Sequence, residues 1–445
     1  MAKIAWSREK KLEQIVAMMR KNCRDGGCRE VGIELEHFII DRETKQRRFY
    51  EGERGVQRVL EALSARKLGH DVYLEGHLIG MEAPEYAISI EPGAQFEISV
   101  AHDTSVLSLR EKYHRALQAV FPVLDEYHET LLTLGVDPVN SIDEIPLIPK
   151  MRYEIMNRRL HEKGNLARAM MRQSCALQVA LDYCNEADFI EKYRILSAMS
   201  PILYTLFDNS PRRGGEELDH FNMRQEIWRN TDPARTGIVP GTFDEGFGFA
   251  KYAEWILGNA PLFVPRTDGT IYESNDRPLD ELLDEASSED EAMLLIRHAM
   301  SIVFPDIRLK NYLEIRIMDE VPEEMAFGAA AMLKGLFYSG ENQKELAAIF
   351  APATEEMVER GKNSGRDNGI QGYYFSDYFA HWGLRLLDLA SRGLPEEERG
   401  LLAPLRDLWD GLDTPRLRFE RIERAAGFAA AIEAFEVKKP GAAEE

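Results

Sequence analysis

The chain has 445 residues, 44% of them hydrophobic and 29% charged, with a net charge of −21. That length can bury a large core and hold two or three domains. The acidic balance argues against general nucleic-acid binding, which needs a basic footprint, though not against a locally basic pocket; no stretch reaches the ~18 uninterrupted apolar residues of a membrane helix.

The N-terminal MAKIAWSREKKLEQ lacks the apolar run of a secretory signal, so a cytoplasmic protein without a membrane partner is expected. Residues 7–22 start at a capping Ser7 and align Leu12, Ile15, Val16 and Met19 on one helical face. Cys23 and Cys28 flank Asp25-Gly26-Gly27, where a loop disulfide is possible. With Cys175 and Cys184 they make too few cysteines for a disulfide framework and lack the spacing of structural zinc, so reduced thiols are expected. In EVGIELEHFII, 30–40, Val31, Ile33 and Leu35 alternate with Glu34 and Glu36, which is strand periodicity. Residues 55–67 read as a helix.

YAISIEPGAQFEISV, 86–100, reads as two strands around the turn-forming Glu91-Pro92-Gly93; Gln95, Glu97 and Ser99 share the polar face of the second. A helical pattern covers 104–133, with a kink or break expected at Pro122. SCALQVALDY, 174–183, alternates again and sets Gln178, Ala180 and Asp182 opposite an apolar face. Asn185 then caps a helix to about Phe207. From Asp208 to Phe247 the chain is rich in Gly, Pro, Asp and Asn and reads as a long functional loop. In FPDIRLKNYLEIRIMDE, 304–320, Leu313, Ile315 and Ile317 alternate with Glu314 and Arg316. Beyond about 322 mostly helices are expected, ending in a polar tail from Lys438.

Four strands thus pair an apolar face with polar groups: Glu34/Glu36, Gln95/Glu97, Gln178/Asp182 and Glu314/Arg316. A solvated face would mix in lysine, yet these strands have none. Carboxylates within ~4–6 Å of one another resist ionising together, so something positive belongs among them. Oxygen ligands without His or Cys favour Mg²⁺, or Mn²⁺, over Zn²⁺, and magnesium commonly completes its shell with substrate phosphates. No G-x-x-x-x-G-K-[ST] or G-x-G-x-x-G loop is present, so ATP would be held through metals and basic side chains. Arg308, Lys310, Arg316, Arg224 and Arg235 are the candidates. Each alone could be a solvated surface charge, but Arg316 shares a strand face with Glu314 and can clamp an anion through two parallel hydrogen bonds.

These residues resemble the plant-type glutamate–cysteine ligases, found also in bacteria, which are relatives of glutamine synthetase. The matching stretches are ISIEPGAQFEIS, MRYEIM, QVALDY, EADFIEKYRILSAMSPILYTLFDNSP, MRQEIWRNTDPARTG, FDEGFGFAKY and FPDIRLKNYLEIR, in that order over most of 30–320. The resemblance implies an α+β fold: a curved antiparallel sheet funnel flanked by helices, with a catalytic unit over 1–345 and a helical region over 346–445 packed on it, its tail disordered from about 438. It implies that L-glutamate, L-cysteine and ATP become γ-glutamylcysteine through a γ-glutamyl phosphate. It also implies that Glu34, Glu36, Glu97 and Glu314 bind the magnesium ions. Gln178 falls at a metal- or substrate-contacting position. Arg235 and Arg316 would hold glutamate or the transferring phosphoryl group. Trp228, Tyr153 and Arg224 would line the amino-acid pocket, although the aromatics could equally be core, and Lys310 and Arg308 would meet the nucleotide.

Ala94 stands where the family commonly has glycine, Ala180 where it has asparagine, and Arg229 and Asn230 where it has threonine and aspartate. These departures leave open a ligase that joins glutamate to a different amine. An acid cluster alone would also suit a two-metal phosphohydrolase or a non-catalytic acidic scaffold. Monomer and homodimer both remain open. Cys175, on the apolar face of its strand, is expected in the core.

Overall fold

The computed structural model describes residues 3–4, 6–24, 27 and 29–441. Its centre is one antiparallel sheet of nine strands: β1 (Val31–Asp41), β2 (His70–Leu74), β3 (His77–Glu82), β4 (Tyr86–Ile90), β5 (Phe96–Asp103), β6 (Glu129–Leu132), β7 (Ala176–Leu181), β8 (Ile307–Leu309) and β9 (Leu313–Asp319). The order is β8-β9-β7-β1-β5-β4-β3-β2. The first half of β1 lies between β5 and β7, and its last four residues, Phe38–Asp41, pair with β6 instead. Register shifts in β1/β5, β9/β7 and β2/β3 act as bulges, which add twist and bend the sheet.

The period-2 pattern does what it predicts. Ile33, Leu35, Ile98, Leu177, Val179 and Ile315 are all at most 1% exposed in one continuous core. Against that face pack the helices Val106–Glu126, Glu186–Leu206 and Glu323–Phe337. Helix starts follow their caps: Ser7 accepts from the Lys10 amide (3.2 Å) and Asn185 from the Asp188 amide (3.0 Å). From Glu323 to Ala434 the chain is mostly helical, with a short hairpin at Tyr373–Tyr374 and Asp377–Tyr378. Its last helices set Phe419, Ile432 and Phe435 against Phe38, Ile40 and Leu132.

Three expectations change. The helix Val106–Glu126 runs unbroken through Pro122. Pro122 and Gln118 both face solvent, so water can satisfy the carbonyl that the proline ring leaves unbonded. The helix also ends seven residues early, where His128 adopts a left-handed φ of 56°, and residues 129–132 become β6. Within the supposed long loop 208–247, Met223–Arg229 forms two helical turns. Cys175 is fully buried as expected; the possible Cys23–Cys28 pairing lies outside the described residues, because Cys28 is not among them.

Candidate active site

Strand register brings the acids together. Glu36 on β1 faces Glu97 on β5, and Glu34 faces Ser99 on one side and Gln178 on the other. Glu314 on β9 faces Ala180 on β7, which in turn faces Gly32 on β1. A Cβ on Gly32 would lie 3.1 Å from the Ala180 Cβ, so two minimal residues form the floor between Glu314 and Glu34.

Burial dominates the electrostatics. It pushes Glu34 up to about 8, with repulsion from Glu97 and Glu314 adding to it. Burial and then Glu91 push Glu97 up to about 7, against hydrogen bonds from the Ser89 and Ser99 hydroxyls (2.6 and 3.2 Å). Glu36 is raised further by burial, Glu91 and Glu97, although it accepts from the Gln178 amide nitrogen and the Ala176 backbone N–H, both at 2.9 Å. Glu314 goes the other way. Burial pushes it up too, but Arg308, Arg316 and Lys310 overrule burial and hold it well below the usual carboxylate range.

The cations divide by task. Arg308 spends its guanidinium on Glu314 (2.7 and 3.0 Å) and the carbonyls of Ser301 and Val303, so it braces Glu314 and has little left for a nucleotide. Lys310 meets Glu314 at 2.7 Å with its side chain 31% exposed, free to reorient toward a phosphate. Arg316 meets Glu314 at 2.8 Å, lies 5.1 Å over the Trp228 ring and keeps its buried Nε unbonded. Arg224 donates to the backbone carbonyl of Arg316 at 2.9 and 3.2 Å, tying the helix Met223–Arg229 to β9. Arg235 is placed elsewhere. It is buried against Asp232 and the Ala260 carbonyl and lines neither cavity of the site. The family resemblance implied that it holds glutamate or the transferring phosphoryl group; here Asp232, three residues earlier, captures it.

Two cavities open from the acid face. The larger, about 370 Å³, is lined by Glu34, Gln178, Ala180, Tyr312, Glu314 and Tyr86. The smaller, about 100 Å³, is lined by Glu36, Glu91, Tyr153, Arg224, Trp228 and Arg316. Glu34 and Glu36, two residues apart on β1, therefore serve different cavities. Tyr153 and Trp228, expected to be either pocket or core, line the smaller one while staying 6% and 7% exposed.

Glu91 escaped the sequence reading, where Glu91-Pro92-Gly93 served only as a turn. Its carboxyl is raised by burial, against the pull of Lys150, Arg152 and Arg316. A single acid in a turn carries no periodicity, so the sequence held no signal for it. The acids converge, but among the described residues no three His, Cys, Asp or Glu side chains form a ready-made metal cage. Glu314 is neutralised by three cations, and Glu36 is hydrogen-bonded to its neighbours. Glu34, Glu91 and Glu97, oxygen donors that resist ionising in each other's company, are of the chemical type that a hard divalent cation takes, with its remaining ligands from a phosphate.

A curved antiparallel sheet backs onto helices and gathers buried carboxylates and guanidinium groups on its other face, an arrangement suited to holding anionic substrates together. The model of the glutamate–cysteine ligase family 2 matches residues 30–369, and the chain belongs to that family. The chloroplastic glutamate–cysteine ligase of Arabidopsis thaliana is 30% identical over 398 residues, 87% of this chain and 74% of that protein. The chloroplastic glutamate–cysteine ligase B of Oryza sativa subsp. japonica is 29% identical over 392 residues, 87% of this chain and 78% of that one. Among solved structures, the glutamate–cysteine ligase of Francisella tularensis in complex with AMP has a TM-score of 0.56 at 12% identity, covering 91% of this chain and 87% of that one, a likeness of fold.

Proposed function

We propose that the protein joins the γ-carboxylate of L-glutamate to the amine of L-cysteine, with ATP becoming ADP and phosphate. The observation that carries this is the division of one buried acid face into two cavities, with Arg316 and Glu314 at the boundary. A carboxylate is a poor electrophile because its leaving group would be oxide. Phosphorylation by ATP turns it into an acyl phosphate, whose phosphate leaves readily. That transfer needs two anions in line, so neutralisation and placement are the main tasks of the site.

The larger cavity takes ATP, with Lys310 turning from Glu314 to the phosphates. The smaller takes glutamate, its γ-carboxylate at the unbonded N–H of Arg316 and its stem along Trp228 and Tyr153. Glu34, Glu97 and Glu91, with Glu36 and Gln178 beside them, would hold magnesium (or manganese), which when bound supplies charge neutralisation between the phosphates and the attacking carboxylate. Arg224 fixes the strand that carries Arg316. A catalytic unit over 1–345 with the helical region 346–445 on it, a cytoplasmic location, and small-molecule partners without nucleic acid or membrane complete the proposal. Among the described residues no helix is long and apolar enough to cross a membrane.

The test is a mass-spectrometric screen of amines with glutamate, ATP and magnesium. γ-Glutamylcysteine and equimolar ADP are the expected products. ADP release indifferent to cysteine but dependent on another amine would move the assignment to a sister ligase, a reading favoured by Ala180 on the cavity floor. ADP release without any amino acid would indicate a phosphohydrolase.

A further inference from the structure

Trp228 lines two cavities. One is the small cavity of Glu36 and Arg316; the other, about 240 Å³, is lined by Tyr204, Gln225, Arg229, Asp306 and Lys362, with Ile238 at its rim. The second cavity belongs to none of the roles assigned above. Its lining is charged in both signs. Lys362 Nζ lies 2.7 Å from Asp306 and 3.2 Å from Glu359. Arg229 meets Glu226 at 2.8 Å and Glu359 at 3.0 Å, and the Tyr204 hydroxyl donates to Asp306 at 3.1 Å. Lys362 and Asp306 are each only 4% exposed.

Stability alone does not favour this arrangement. Buried ion pairs seldom outperform packed apolar side chains, and interiors are normally filled. A space of this size is below the roughly 300–1,000 Å³ of pockets for drug-sized ligands, so it suits a small solute. Cations and carboxylates side by side in one lining match a molecule that carries one of each, an α-amino acid zwitterion. The Arg316 backbone N–H donates to the Asp306 carbonyl at 3.4 Å, so the deepest acid of this cavity adjoins the arginine of the other. The ligation needs two amino acids side by side, and here two cavities share one wall.

We propose that this cavity receives the acceptor amino acid, its carboxylate on Arg229 and Lys362 and its ammonium at Asp306, beside the edge of Trp228; the inference rests on the ligase reading above. The ammonium gives one proton to the Asp306 carboxylate. Its lone pair attacks the acyl carbon, the carbon–nitrogen bond forms, the carbon–oxygen bond to phosphate breaks with its electrons, and the second proton leaves with the phosphate. Arg229, which stands where relatives of this type commonly have threonine, is then a determinant of which acceptor is used.

Hydroxylamine separates the two cavities, because it intercepts an acyl phosphate without a carboxylate to be held. Ile238→Trp fills the rim and leaves the charges alone; Arg229→Gln removes one cation from a partly exposed position. For both variants, kcat/KM for cysteine is expected to fall about tenfold or more through KM, by loss of one hydrogen bond to a charged group in Arg229→Gln and by steric exclusion in Ile238→Trp. Formation of γ-glutamyl hydroxamate from glutamate, ATP and hydroxylamine should fall far less. Equal losses with the two nucleophiles, or an unchanged cysteine KM in Ile238→Trp, overturn the proposal. Absence of hydroxamate from the wild-type protein would instead remove the ligase reading, and the acceptor site with it.

Discussion

Arg316 is the residue on which the proposed chemistry turns. Replacing it with alanine leaves Glu314 bonded to Arg308 and Lys310, so the fold should lose little while the anion clamp disappears. Steady-state kinetics of Arg316→Ala should show kcat/KM for glutamate reduced by about 100-fold or more, the usual scale for one donor to developing charge, with a melting temperature close to wild type. A variant that melts early and retains its turnover would assign Arg316 to structure. Glu129, remote from the site on β6, makes a pH prediction. Burial pushes its carboxyl up to about 7, despite an ion pair with Arg48 at 2.8 Å. A folded value above the unfolded one means the fold binds the proton more tightly. The stability it contributes is therefore full below about 4.5 and lost as pH rises through 7. Glu129→Gln should flatten the stability–pH curve between those limits, measured by urea unfolding at pH 5 and pH 8. Glu91 shows how a site residue hides: one acid in a turn motif carries no periodicity, and only the fold reveals that Lys150, Arg152 and Arg316 surround it.

At the scale of elements, the strands that bear the acids were the legible ones. Alternation over β1, β5, β7 and β9 is long enough to set the face of each residue, and one buried face fixes the register. What failed to show was short or context-made. The four residues of β6 follow a helix of the same apolar content, so only the left-handed His128 marks the boundary. The two turns of Met223–Arg229 lie between Gly- and Asp-rich flanks. Pro122 does not break its helix, because breakage depends on whether the orphaned carbonyl reaches water, and here it does. Pro122→Ala should accordingly stabilise the helix by about 1 kcal/mol, less than the ~3 kcal/mol of a fully unfavourable proline, read as a raised melting temperature. Gly32→Ala tests the β1/β7 floor. Its Cβ would come within 3.1 Å of Ala180, so about 1 kcal/mol of stability and much of the nucleotide affinity should be lost; unaltered ATP binding would place the nucleotide away from that floor.

For the molecule as a whole, the sheet and the final helices are not independent layers. Val437 donates its backbone N–H to Leu131 at 2.8 Å, and Glu436 bridges to Leu132, so the end of the described chain extends the β6 edge. Truncation after residue 410 would uncover Phe38, Ile40 and Leu132 and should lower the melting temperature of the entire protein in one transition. Separate melting of a C-terminal unit would contradict that coupling. The branching of β1 gives this arrangement a further meaning. A single strand carries the acids at one end and the anchorage of the helices over 415–434 at the other, so it behaves as a shared axle. Mechanical slack introduced near Val437 should be felt at Glu34 and Glu36, and amide hydrogens along both halves of that axle should exchange at a common slow rate.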